Sequence, residues 1–405
     1  MLISKILILV FPFVVSVVPI EDLCGVPEHI DLKPTSQWFQ QMNSTFKEHQ
    51  QSWSRRLETE LKPPRFSSNE TLKESRKTLK AKWTDSLRKY KVSKAKKPPT
   101  SSEPSSILKS VPLKDCDCTR MQNVSVSSST SLDTSLCDFS SSLRGQGQKT
   151  VSFSYYGDPQ GDLSQTRGYF KHIWTNLQAI KAFYPGWTMR VYHDIPKNDS
   201  RLAELCHIAC KEPLLDLCNI REIPAFGNMI DMNPSSWRFL PMLEGPLLVS
   251  HFLSRDLDTV ISRREVEAVE KWMQSLKSTH VMRDHPLHHF GLMAGTFGVY
   301  QATFNDWKMI QDSFLLAMTD PIFWAPYKSY GYDQILLKKY FWPWMKLHHL
   351  GHDAYNCQTF PHTQPFPSRR LSTPRNYIGG KIAENVTLEI PCPMECRSNP
   401  DWIFC

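Results

Sequence analysis

From Val151 to about Pro391, short apolar runs alternate with stretches whose apolar residues recur every three to four positions. This alternation constrains the fold more than any other feature of the chain. Apolar runs suit buried strands, and a period near 3.6 suits helices packed on one face. Val151 to Tyr156 reads as a strand ending at Gly157-Asp158. Tyr169 to Tyr184 reads as a helix stopped by Pro185-Gly186. Thr188 to Tyr192 is a strand ending at His193-Asp194, and Arg201 to Cys210 a helix. Trp237 to Met242 starts a short helix that meets Pro241. Pro246 to Leu253 is a strand, Arg263 to Leu276 a helix, and His280 to Arg283 a strand. Asp306 to Met318 and Tyr332 to Phe341 are helical. Strands alternating with helices predict an α/β domain.

The first 148 residues read differently. Ile6 to Ile20 is a fifteen-residue run without charge, preceded by Lys5 and followed by Glu21-Asp22. Its length sits between a signal-peptide core and a membrane span. Residues 1–22 are therefore expected to be a signal peptide or a type II signal-anchor. Either sends the rest of the chain into the lumen of the secretory pathway, in the Golgi or endoplasmic reticulum, as a type II membrane protein or, after cleavage, a secreted one. Residues 23–148 read as a disordered or loosely helical stem. They include a Pro/Ser linker at Pro98–Ser106 and nine serines between Asn123 and Ser142, a composition that buries little apolar surface.

The net charge of +8 does not point to nucleic acid. Lys73 to Lys97 holds eleven basic and two acidic residues, so this segment carries +9 and the remainder about −1. Five Asn-x-Ser/Thr sequons, at Asn43, Asn69, Asn123, Asn198 and Asn385, agree with a luminal setting. So do eleven cysteines, which form clusters at Cys116, Cys118, Cys137, at Cys206, Cys210, Cys218, and at Cys357, Cys392, Cys396, Cys405. Disulfides rather than zinc are expected there. The odd number leaves one thiol free or paired to another chain.

Asp256-Leu257-Asp258 carries the chemistry. In extended backbone, residues i and i+2 point to one side, so two carboxylates could share a divalent cation. Such a cation suits a diphosphate and offsets charge on a leaving phosphate. The pattern alone is weak, since Asp115-Cys116-Asp117 repeats it in the stem. Context separates the two. The second pair follows the apolar run Leu247–Leu253, at the carboxyl end where open α/β sheets bind ligands. It precedes Ser262-Arg263-Arg264-Glu265, a capping box.

Ser254-Arg255-Asp256-Leu257-Asp258-Thr259, Ser262–Val266 and Val281-Met282-Arg283-Asp284-His285-Pro286 resemble the core of the DXD-containing, nucleotide-sugar-dependent glycosyltransferases of the GT-A type. Tyr330–Gln334, His352–Cys357 and Cys392-Pro393-x-x-Cys396 continue the resemblance over residues 150–405. It implies a GT-A fold, a Rossmann-like mixed sheet flanked by helices, with Mn²⁺ or Mg²⁺ on the aspartate pair. It implies a nucleotide-diphosphate sugar as donor and a glycan or glycoprotein as acceptor. Asp256 and Asp258 carry over as metal and diphosphate contacts. Arg255 touches the diphosphate or fixes the turn by a salt bridge. His352, with His349 second, would complete the metal shell. Asp158 and Asp194, after the first two strands, would contact base or ribose. Asp333 and Asp284 are alternative catalytic bases, with an N-cap as the structural alternative for Asp333. Gly291, Gly295 and Gly298 would allow close approach of a sugar. The domain is expected to span 149–390, followed by a cysteine-rich tail at 391–405.

Two other readings compete. Asp256-Leu257-Asp258-Thr259 matches the Asp-x-Asp-x-Thr pattern of haloacid-dehalogenase phosphatases, with Asp256 as nucleophile. Against it, Ser254-Arg255 separate the motif from the apolar strand, and about a hundred folded residues precede it. The other rival is a non-catalytic luminal binding protein on a transferase fold.

Overall fold

The computed structural model describes residues 6–11, 14–19, 106–125, 135–156 and 163–405, except 225, 246, 276, 302–310, 312–313, 315–317, 319–330, 347, 371–376, 382–387 and 389. The chain divides into two compact units, Met1–Asn69 and Glu70–Cys405. In the first, strands β1 (Ile6–Phe11) and β2 (Val14–Pro19) pair antiparallel. Among the described residues no helix is long and apolar enough to cross a membrane.

The second unit is built on an eight-stranded mixed sheet. Its strands are β5 (Gln148–Tyr155), β6 (Trp187–His193), β7 (Leu215–Asn219), β8 (Val249–Arg255), β9 (Thr279–Arg283), β10 (Thr296–Tyr300), β11 (His349–Asp353) and β12 (Thr363–Gln364). They lie in the order β12-β11-β9-β10-β8-β5-β6-β7. β5 is parallel to both its neighbours, β6 and β8, and β10 runs antiparallel to β8 and β9. β5 leads to β6 and then β7 on one side, while β8 lies on the other. The strand order thus reverses between β5 and β8, and the carboxyl ends of these two strands flank a topological switch point.

Neighbouring residues along the strands enter different apolar clusters, as the pleat requires. Phe252 and Val281 join one cluster, Leu253 and Met282 the other. One face packs against helices α2 (Leu163–Phe183), α3 (Ser200–Lys211) and α4 (Arg263–Gln274) through Ile173, Leu177, Leu205, Val269 and Trp272. The opposite face packs against the 3-10 segment Pro234–Leu243 and helix α5 (Tyr332–Leu336), through Trp237, Phe239, Leu240 and Leu336. Fully burying each such side chain contributes about 1.5–3 kcal/mol.

Most expected strands and helices are present. β7, β10 and β11 were not expected. β7 is a short run, Leu-Asp-Leu-Cys-Asn, with a buried aspartate. β10 includes Gly298, one of the glycines expected to admit a sugar, and β11 includes His349 and His352, expected as metal ligands. The helix expected at Asp306–Met318 falls mainly outside the described residues.

The expected boundary at residue 149 gives way to a longer folded unit. The hairpin β3 (Ser106–Leu113) and β4 (Cys118–Ser125) and the short helix α1 (Phe139–Ser142) pack on the sheet's β7 side. Three disulfides hold them there: Cys116–Cys206, Cys118–Cys210 and Cys137–Cys218. The buried Arg120 and the half-buried Arg144 each pair with Asp216 of β7 at 2.7 Å. Glu244 accepts from Leu136 N at 2.9 Å and Ser135 Oγ at 3.2 Å. Of the serines that read as a polar tract, Ser135, Ser140, Ser141 and Ser142 are buried. Ser135 Oγ donates to Glu244, Ser140 Oγ to the Asp138 carboxylate and Ser142 Oγ to the Asp138 carbonyl. Two further disulfides, Cys357–Cys396 and Cys392–Cys405, close the tail. Ten cysteines are paired, and Cys24 lies outside the described residues.

A chain shortened to begin at residue 149 loses three disulfides and both arginines on Asp216. It is expected to melt at least about 10 °C below the full chain, read by scanning fluorimetry. Equal midpoints would return residues 106–142 to the stem.

Candidate functional site

Strand β8 runs through Ser254 and Arg255, so Asp256 follows it without a spacer. The aspartates then occupy a turn, not extended backbone. Thr259 closes it by donating from its N (3.3 Å) and Oγ1 (2.9 Å) to the Asp256 carbonyl. Leu257, between the carboxylates, is buried in the helix-side core. The fully buried Asn176 of α2 donates to the Leu257 carbonyl at 3.1 Å. The apolar middle residue therefore anchors the turn, and its two polar neighbours are left at the edge.

Three features crowd around Asp256. A Cβ added to Gly295 would run into the Asp256 carboxylate, which could keep its bond to Arg238 only if the glycine loop gave way. Arg238 Nη1 donates to Asp256 Oδ1, and Arg238 Nη2 donates to Asp333 Oδ2 at 2.6 Å. The Arg238 and Asp333 side chains are 7% and 11% exposed, whereas that of Asp256 is 43% exposed. Burial pushes the Asp258 carboxyl up to about 6, and the neighbouring charge of Asp256 pushes the same way. Burial also raises Asp333, an effect that Arg238 opposes.

Asp333 lies in the first turn of α5. The N-cap is Gly331, in the left-handed region at φ +86°, rather than Asp333. Gln334, beside it, accepts from Ala294 N at 3.0 Å and donates to the Leu292 carbonyl. Helix α5 thereby grips the loop carrying Gly295. The expected room for a sugar at the three glycines is taken by the protein's own side chains: Trp342 at Gly291, Asp256 at Gly295, Leu253 and Trp272 at Gly298.

The remaining candidates are placed as follows. Arg255 is buried and pairs with Glu265 at 2.7 Å, donating also to the Ser254 and Phe297 carbonyls. It fixes the turn and the start of α4. Glu265 consequently does not complete a reciprocal capping box; Ser262 Oγ accepts from Glu265 N alone. Asp284 is fully buried between Arg264, which engages both its oxygens, and Arg370 at 2.7 Å, and it accepts from Ile378 N at 3.0 Å. These cations hold its carboxyl down to about 2. A carboxylate so enclosed pins the loops after β9 and is not open to an acceptor hydroxyl. His352 is buried in β11, with Nδ1 on His280 Nε2 and Nε2 on Gln364 Nε2, each at 2.8 Å. Among the described residues no three His, Cys, Asp or Glu side chains gather as a metal cluster, so His352 is not brought to the aspartate pair. His349 is buried beside Trp342. Asp194 sits at the carboxyl end of β6, two strands from β8, and Asp158 lies outside the described residues.

Sequence reasoning passed over Arg238 and Asn176. The signal for Arg238 was present: it is the one charged residue in Pro234–Leu243. Tyr156, 42% exposed at the end of β5, stands edge-on to Trp237 at 5.9 Å and forms the neighbouring rim of the switch point.

No protein-family model and no curated protein matches the chain. Among solved structures it is similar to a glycosyltransferase involved in the glycosylation of the major capsid of PBCV-1. The TM-score is 0.25 and the identity 12%, covering 51% of this chain and 82% of that one.

Two outcomes are expected. Gly295→Ala drives a methyl group into the Asp256 carboxylate, and should lower stability by about 1–3 kcal/mol in urea unfolding; an unchanged midpoint would mean the turn is loose. Burial depresses the histidines, His352 and His288 to about 3, His349 and His285 to about 4. A neutral buried histidine stabilises the fold fully above its unfolded pKa of about 6.5, and that stability is lost as pH falls toward the folded value. Asp258 and the other raised carboxyls, Asp138, Asp194, Glu244, Asp333 and Asp353, act in the opposite sense, but the four histidines together with the likewise depressed His193, His251 and His280 outweigh them. The urea midpoint should therefore drop between pH 7.5 and pH 5, with a smaller drop in His352→Gln.

Proposed function

We propose that the chain is a glycosyltransferase that moves a sugar from a nucleotide-diphosphate donor to a glycan or glycoprotein acceptor, in the lumen of the secretory pathway. The observation that carries this reading is the convergence of Asp256, Asp258, Asp333 and Arg238 on the carboxyl edge of β8, beside the switch point of an α/β sheet. The fold class proposed with it is GT-A.

The aspartate pair fits a hard divalent cation, Mn²⁺ or Mg²⁺. Both donors are carboxylates; burial raises Asp258 and the charge of Asp256 adds to it, and a bound cation would oppose both. Asp256 and Asp258 would hold it, and it would offset charge on the departing diphosphate. Asp333 is the better-placed base of the two considered, since Asp284 is saturated by two arginines. Each Asp333 oxygen has two lone pairs. Oδ1 accepts from Gln334 N and Oδ2 from Arg238, leaving capacity for an acceptor hydroxyl proton. Tyr156 and Asp194 follow the carboxyl ends of β5 and β6, where base and ribose would lie.

The phosphatase reading retains one point in its favour. Ser254 and Arg255 belong to β8, so Asp256 follows the strand directly. Product analysis separates the two readings. The full chain with Mn²⁺ should release nucleoside diphosphate from at least one of a panel of nucleotide sugars, and Asp256→Asn and Asp258→Asn should each reduce this at least about 100-fold. Phosphate release from a simple ester, with every nucleotide sugar left intact, would establish the phosphatase instead. Partner binding without turnover would leave a binding protein.

A further inference from the structure

Arg238 joins three parts of the chain. Its backbone N donates to Ser154 Oγ of β5 at 3.0 Å. Its Nη1 donates to the Arg255 carbonyl at 3.3 Å and to Asp256. Its Nη2 reaches Asp333, at the start of α5. A buried guanidinium costs several kcal/mol unless its partners are well placed. Here both terminal nitrogens meet carboxylates, and a planar guanidinium fixes the separation of the groups it bridges. Asp256, Asp258 and Asp333 bring three negative charges to the site when ionised; Arg238 pairs with the first and last of them, and Lys381 acts on Asp258.

We propose that Arg238 is a positioning residue of this site: it holds Asp333 at a set place relative to Asp256, and so registers the proton acceptor against the donor. The inference rests on the transferase reading. In the step it serves, the acceptor oxygen forms a bond to the anomeric carbon as the bond from that carbon to the diphosphate oxygen breaks. The electron pair of the broken bond leaves with the diphosphate. The acceptor's proton passes to an Asp333 carboxylate oxygen and later to solvent. Arg238 touches neither sugar in this scheme; it acts through Asp333.

The test uses the full chain with Arg238→Gln, Arg238→Lys, Asp333→Asn and the double variant Arg238→Gln/Asp333→Asn. Transfer is measured as kcat and donor KM, and Mn²⁺ binding by calorimetry without nucleotide. R238Q is expected to lower kcat about 100-fold, the scale of a misplaced general base, with donor KM changed little. Its Mn²⁺ affinity should be unchanged or tighter, because one positive charge is gone from beside the pair. R238K should recover part of kcat, since it keeps the charge but not the fork. The double variant should be no slower than D333N within about threefold, because residues acting as one unit are not additive. Losses that multiply in the double variant, or Mn²⁺ affinity that falls in step with kcat, overturn the inference and make Arg238 a prop of the fold. If R238Q does not fold, R238K alone and combined with D333N carry the same comparison. A wild-type chain that turns over no nucleotide sugar sinks the transferase reading and this one with it. Turnover with an unaltered R238Q sinks this one alone.

Discussion

Two carboxylates one residue apart repel each other, and much of the carboxyl edge of β8 is arranged around that repulsion. Leu257 is sunk in the core and its carbonyl is tied to Asn176, so the turn cannot open to separate the charges. Gly295 leaves space under Asp256, Arg238 pairs with Asp256, and the charge of Lys381 acts on Asp258. Burial first, and the charge of Asp256 second, hold the Asp258 carboxyl up near 6.

Elsewhere the same unit solves a related problem with buried ion pairs. Strands that end in charged residues bring them into a low-dielectric interior, where each needs a partner. Arg255 meets Glu265, Arg283 meets Asp353 at 2.6 Å, and Asp284 sits between Arg264 and Arg370. These pairs fasten helices and loops to the strand ends. They also explain why Arg255 and Asp284 look chemical in the sequence and are structural in the fold. A charged residue after an apolar run is common to both roles, and only its partner tells them apart.

The far side of the sheet shows another limit of local reading. Residues 106–125 and 135–142 are polar and serine-rich, yet they form a hairpin and a short helix against β7. Their order depends on disulfides that span 81–92 residues and on Asp216, which accepts two arginines. Composition does not register such long-range links. His352 illustrates the converse. The resemblance implied a metal ligand, but its segment forms a strand whose pleat turns the ring inward to His280 and Gln364.

The order of apolar runs and helical periods determined the α/β class, the strand before the aspartate pair and the helix after it. These are local consequences of burial and backbone period, written within a dozen residues of each element. The cysteine clusters likewise marked the places that disulfides join, though not their pairing. Tertiary structure alone decided that β5 and β8 flank the switch point, that Gly295 lies under Asp256, and that one buried arginine bridges Asp256 to an aspartate 77 positions later. Those relations come from packing between segments far apart in the chain. Their strength depends on distance and dielectric, quantities that exist only once the chain has folded.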